Sequence, residues 1–285
     1  MTVVLLMAMV ALAVVLAVRR RDALVVRWTP DRHTWAAIAT CLLVAAVSAS
    51  ILLVGPASSA ARALHFLVIY ALLGCAVPWG YTFFVERGSP CDLGLRRQGW
   101  PIALAINVGM GLFLGLGIAF GPDLAAVSPR DVAAASFTLL VGGLFELYLY
   151  YGFTHLRLEK AFGPIPAILG TAALYSLWHI GTELPLHDDP WRGLAMLFVV
   201  GVLYQSVFSL TRNLLSIWPF FFLAGVLTDF LRLGLPERVT RNLGWASVGW
   251  VLMLGIPTAL WVLSRTQPRA SRDSASRRSP GRRSE

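Results

Sequence analysis

Charge is scarce in this 285-residue sequence: Asp, Glu, Lys and Arg make up 14% of it, against about 25% in soluble domains. That leaves too few charged groups to cover a surface facing water and excludes an ordinary soluble domain. Cysteine is scarcer still, with three residues and no CxxC or CxxH spacing, which excludes a disulfide framework and a structural zinc site. Cys41 and Cys75 sit inside apolar runs and read as small hydrophobes. The sequence also lacks a Walker A loop, a Gly-rich dinucleotide turn, a G-x-S-x-G elbow and HExxH. His33, His65, His155 and His187 show no metal-ligand spacing, and no repeat of 20–50 residues is visible. Nothing here asks for a metal or a cofactor.

What the sequence has in abundance is apolar length. Hydrophobic residues make up 57% of the chain, and a bilayer core about 30 Å thick needs roughly 20 of them per helix. Apolar runs predict spans near 2–18, 35–54, 64–86, 101–120, 132–158, 164–182, 193–211, 214–232 and 244–263. The expected fold is therefore an all-α polytopic transmembrane bundle of about 8–9 spans. Its expected divisions are N-terminal helices over 1–91, core helices over 92–232, a last helix over 233–264 and a basic tail over 265–285. The first run has no basic residue before it and is followed by Arg19-Arg20-Arg21, flanks that read as those of a retained anchor. The stretch DLGLRRQGW, residues 92–100, reads as a short interfacial helix, and Gly111 with Gly115 as a helix-packing pair. Trp218-Pro219 is expected inside the eighth span, where proline can kink a helix.

The net charge of +9 is concentrated in loops and tail rather than in a nucleic-acid face. Seven of 24 basic residues lie in the last 21 positions among Ser, Pro and Gly, a composition that builds no core. Such a segment reads as a cytoplasmic topology anchor beside anionic headgroups. With the tail inside the cell membrane, Arg27, Arg87, Arg96, Arg97, Arg157, Lys160 and Arg212 also fall inside. Arg232, Arg238 and Arg241 go against the rule.

Charges within spans are expensive and point to function. Glu146 lies 14 residues into the fifth span, followed by Tyr148, Tyr150, Tyr151 and Phe153; helical spacing puts residues 146, 150 and 153 on one face. His179 lies in the next span, and a short proline-marked connection makes the two helices antiparallel neighbours. Glu183, four residues after His179, could orient it, and Asp229 is a third intramembrane charge.

The stretch FELYLYYGFTHLRLEKAFGPIPAILGTAALYSLWHIG, residues 145–181, resembles the core of the CPBP family of CAAX-protease and bacteriocin-processing membrane proteins. That family's pattern is Glu-Glu-x-x-x-Arg-Gly-Phe/Tyr, then Phe-x-x-x-His, then His-x-x-x-Asn/Asp. Glu146, Gly152 and Phe153 match the first motif; Tyr175 and His179 match the second, with Tyr for Phe. Leu147 and Tyr151 stand where the second Glu and the Arg belong, and Ala224 and Thr228 fall at the third motif. The resemblance implies an intramembrane peptidase in which Glu146 activates water with His179 as partner. Tyr148, Tyr151, Tyr175, Thr228 and Asp229 are candidate supporting donors, and a membrane-associated peptide or protein is the implied substrate. A non-catalytic relative that binds membrane peptides is the alternative. A small-solute or proton transporter is a third reading, with the lack of paired broken helices against it.

Overall fold

The computed structural model describes residues 18, 22, 24–55, 58–120, 128–181, 189–232 and 236–266, with the side chains of 228–241 excepted. Every element among them is helical: α1 (Arg32–Val54), α2 (Ser59–Val85), α3 (Trp100–Phe120), α4 (Pro129–Phe162), α5 (Pro164–Trp178), α6 (Pro190–Thr211), α7 (Phe220–Arg232) and α8 (Pro236–Thr266). Six stretches are long and apolar enough to cross a membrane: α1, α2, α3, α4, α6 and the Asn242–Thr266 part of α8. The chain is thus a multi-pass membrane protein. Of the nine expected spans, 2–18 lies outside the described residues. Two others are shorter than the apolar runs suggested: α5 has 15 residues and α7 has 13. At 1.5 Å per residue they reach only about 20 Å, short of a bilayer core about 30 Å thick.

Local chemistry sets the element ends. Asp31 caps α1, accepting from the backbone N–H groups of His33 and Thr34 at 3.0 and 2.9 Å. Burial works against the Asp31 carboxylate, but the Thr34 bonds and the charges of His33 and Lys160 outweigh it. The carboxyl is therefore held below its usual value. Between α2 and α3 the expected interfacial helix shrinks to one 3₁₀ turn, Pro90–Leu93. Gly94 and Gly99, both at φ 79°, then break the chain before Trp100 opens α3. Pro219 lies in the turn ahead of α7 rather than within a helix, and the Trp218 indole donates to the Leu140 carbonyl at 3.2 Å. Asn107 of α3 bonds this turn from both sides: its amide donates to the Leu215 carbonyl, and its oxygen accepts from Phe220 N–H at 2.9 Å. Of the expected glycine pair, a Cβ at Gly111 would meet the Phe220 ring at 3.3 Å, but one at Gly115 would meet nothing within 4 Å. Only Gly111 therefore serves packing.

The core sits where α1, α2, α4, α5, α6 and α8 meet. It is aromatic at its centre, with Phe145, Tyr150, Tyr151, Tyr175, Tyr204 and Phe208 all at or below 2% exposure. A smaller apolar cluster joins Leu114, Ala135, Leu223 and Leu227, tying α3 and α7 to the first half of α4.

Candidate active site

The α4–α5 hairpin brings two polar residues to one depth. Glu146 lies 16 residues before Phe162, the end of α4, and His179 lies 15 residues after Pro164, the start of α5. Both residues are therefore about 23 Å from the turn. Gly163 makes that turn at φ 94°, and a Cβ there would run into the Val25 carbonyl. His179 is the first residue after α5 and opens a 3₁₀ turn, His179–Gly181, packed against α1. Gly181 lies so close to the Ser48 backbone that no side chain fits, and Ser48 Oγ donates to the Trp178 carbonyl at 2.5 Å.

Glu146 Oε1 lies 3.9 Å from His179 Nε2, and both side chains are 6% exposed. The Tyr175 hydroxyl lies within electrostatic reach of the Glu146 carboxyl. His179 Nδ1 lies 3.0 Å from the Tyr175 carbonyl. A carbonyl only accepts, so Nδ1 carries a proton, and Nε2 is the ring nitrogen that faces Glu146. Glu146 Oε2 is buried and has no hydrogen-bond partner among the described residues, and the hydroxyls of Tyr150 and Tyr151 are in the same condition.

The helix widens to π geometry over Leu147–His155. Consecutive Tyr150 and Tyr151 consequently both lie within electrostatic reach of Glu146. Phe153, expected on the Glu146 face, instead packs edge-on to Tyr81 at 5.6 Å and under the Arg157 guanidinium. Tyr148 points elsewhere too, packing at right angles to Trp79 at 5.3 Å. Leu147, where the family pattern has a second Glu, is 2% exposed within the apolar core. Tyr151, where it has Arg, packs among Tyr175, Tyr204 and Phe208, each with ring centroids at 6.4 Å. Ala224 packs on the Leu114 cluster, and Gly225 is the α7 residue pressed against the Tyr204 hydroxyl. Glu183 and the side chains of Thr228 and Asp229 lie outside the described residues.

Three neighbours escaped the sequence reading. Tyr204 of α6 joins the tyrosine cluster through Tyr151. His65 and Tyr70 of α2 lie within electrostatic reach of His179 and Glu146, respectively. Their intramembrane polarity was the only available signal, since they stand more than 70 residues upstream. Among the described residues no three His, Cys, Asp or Glu side chains gather, and catalytic zinc normally takes three protein ligands.

A family model described as Type II CAAX prenyl endopeptidase Rce1-like matches residues 128–227, from the Ser128 cap of α4 into α7. Residues 128–227 are a CAAX-protease-clan domain. It contains both Glu146 and His179, whereas His65 and Tyr70 lie outside it. No curated protein and no solved structure matches the chain.

Proposed function

We propose that this protein is a divergent CPBP-type intramembrane peptidase that cleaves a membrane-associated peptide or protein, with Glu146 as general base and His179 as its partner. The observation that carries this reading is the buried Glu146/His179 pair inside the CAAX-protease-clan domain, 3.9 Å apart. That gap is too long for a hydrogen bond, and a water beside it can bond to both groups. One water proton points to the Glu146 carboxylate and the other to the His179 Nε2 lone pair, leaving an oxygen lone pair for attack. As the oxygen bonds to the scissile carbonyl carbon, Glu146 takes the water proton and the carbonyl π electrons move onto oxygen. The tetrahedral oxyanion then collapses, the C–N bond breaks, and the proton held at Glu146 passes to the leaving nitrogen. In this reading His179 is neutral, so that Nε2 accepts from the water and orients it.

Comparing peptide termini in membranes from cells expressing wild type, Glu146→Gln or His179→Ala at equal abundance tests this. Termini formed by wild type and missing from both variants support it and name a substrate. Matching profiles in all three would sink it.

Leu147 and Tyr151, both fully packed, favour a second reading: a non-catalytic relative that holds membrane peptides in the same place. Crosslinked partners retained by Glu146→Gln, with no change in termini, would select it.

A further inference from the structure

The CPBP pattern places a His and an Asn/Asp on a later helix to hold the oxyanion, and this chain has Ala224 and Thr228 at those positions. An active enzyme needs another donor there, since loss of one oxyanion donor costs about 10²–10³ in turnover. Among the described residues, α2 brings two polar groups, His65 and Tyr70, within electrostatic reach of the Glu146/His179 pair. His65 Nε2 and the Tyr70 hydroxyl are 2.7 Å apart, with ring centroids 4.5 Å apart. Tyr70 is 7% exposed and stacks on Phe145, the residue before Glu146, at 4.8 Å and 14°. Its hydroxyl oxygen lies 3.0 Å from where a Cβ on Gly142 would stand, one turn ahead of Glu146. His65 packs 6.0 Å from Trp178, the residue before His179, and Trp178 lies 5.1 Å from Phe145. The pair thus borders both residues of the candidate dyad through their immediate chain neighbours.

We infer that Tyr70 is the oxyanion donor of this site and that His65 is the residue that positions it; the inference rests on the peptidase reading above. The chemistry follows from the inventory of protons. On this inference His65 is the tautomer whose Nε2–H donates to the phenol oxygen, which leaves the Tyr70 hydroxyl proton free to turn toward the site. A developing oxyanion accepts that proton as a hydrogen bond while Glu146 takes the water proton. The stack on Phe145 fixes the ring, so the donor needs no reorganisation as charge develops. Tyr70 would touch the reacting carbonyl oxygen; His65 acts only through Tyr70.

The test uses the full chain in native membranes and reads the initial rate at which Glu146-dependent peptide termini appear. Tyr70→Phe keeps the stack and removes only the hydroxyl, and a thermal melt in detergent checks that it folds like wild type. It should slow the rate about 10²-fold, the low end for one oxyanion donor. His65→Phe should match it, and the double variant should be no slower than either, because the groups act as one unit. His65→Gln, which restores an N–H donor near the Nε2 position, should recover most of the rate; a merely structural role would not respond in this way. Wild-type rates in Tyr70→Phe, with Glu146→Gln inactive, would overturn the inference and leave the peptidase reading standing. Losses that multiply in the double variant would remove His65 from its role. An unchanged profile in Glu146→Gln would overturn both.

Discussion

Tyr175 adjoins both members of the candidate pair. Its hydroxyl lies within electrostatic reach of the Glu146 carboxyl, and its carbonyl accepts from His179 Nδ1. Tyr175→Phe keeps the carbonyl and loses the hydroxyl, so His179 stays aimed while Glu146 loses a neighbour able to donate to it. A hydrogen bond to a charged group is worth about 1.5–3 kcal/mol. The rate of terminus formation should therefore fall about 10- to 100-fold, with the protein still fully folded in a detergent melt. Leu147 makes the opposite case. Restoring the family's second Glu would place a carboxyl at a position 2% exposed among apolar side chains. Burying an uncompensated polar group costs about 1–3 kcal/mol, and more when charged. Leu147→Glu should thus lower the melting temperature and the folded yield rather than raise activity. The same exclusion explains what the sequence could and could not disclose here. Glu146 and His179 were legible because intramembrane charge is rare. Tyr204, His65 and Tyr70 were not, because their place near the pair comes from helices that meet only in the fold.

At the scale of elements, the site depends on a helix that stops half-way. The apolar run over 164–182 reads as a full span, yet α5 ends at Trp178, and a 3₁₀ turn seats His179 beside Glu146. Hydropathy reports length and cannot mark that stop; the turn exists because Gly181 can lie against the α1 backbone at Ser48. Gly181→Ala should therefore push the His179 turn off α1 and lower both stability and terminus formation. Gly193→Ala, where an added Cβ would meet nothing within 4 Å, should be neutral or stabilise by up to about 1 kcal/mol. Parallel melts and rate measurements separate the two. The π-helical widening after Glu146 was equally silent in the sequence, since the pattern of tyrosines fits either pitch. The lower half of α4 is held by another device. Arg157 donates to Glu86 from Nε at 2.9 Å and again from Nη2, and Nη2 also reaches Thr82 Oγ1 at 3.0 Å. Lysine cannot reproduce that fork. Arg157→Lys should lower stability by about 1–3 kcal/mol, below the range for a fully buried broken pair because the Glu86 side chain is 20% exposed.

At the scale of the whole molecule, contacts gather the basic loops at one end of the bundle. Arg27 N–H bonds to the Phe162 carbonyl, Lys160 lies 3.7 Å from Asp31, and Arg212 pairs with Glu159. The Asn213 amide donates to the Arg96 carbonyl at 2.9 Å, and Leu214 N–H to the Gly94 carbonyl. Helix α8 runs to the same end: its Met253 carbonyl faces Cys75, and Leu260, two turns later, reaches Gly80 near the end of α2. Arg27, Arg96, Arg97, Arg157, Lys160 and Arg212 thus share the face from which the Arg-rich tail departs. The grouping of these loops was legible from charge alone, because basic residues cluster on the cytoplasmic side. The cysteines make sidedness measurable without altering the chain. Cys41 and Cys75 are fully buried, and Cys91, beside Arg87 and Arg96, is exposed. A membrane-impermeant maleimide should therefore leave intact cells unlabelled and add one label per chain in inverted vesicles. Cys91→Ser should abolish that label. Labelling of Cys91 in intact cells would reverse the orientation and put the tail outside. The Glu146/His179 pair would keep its depth but face its substrates from the other leaflet.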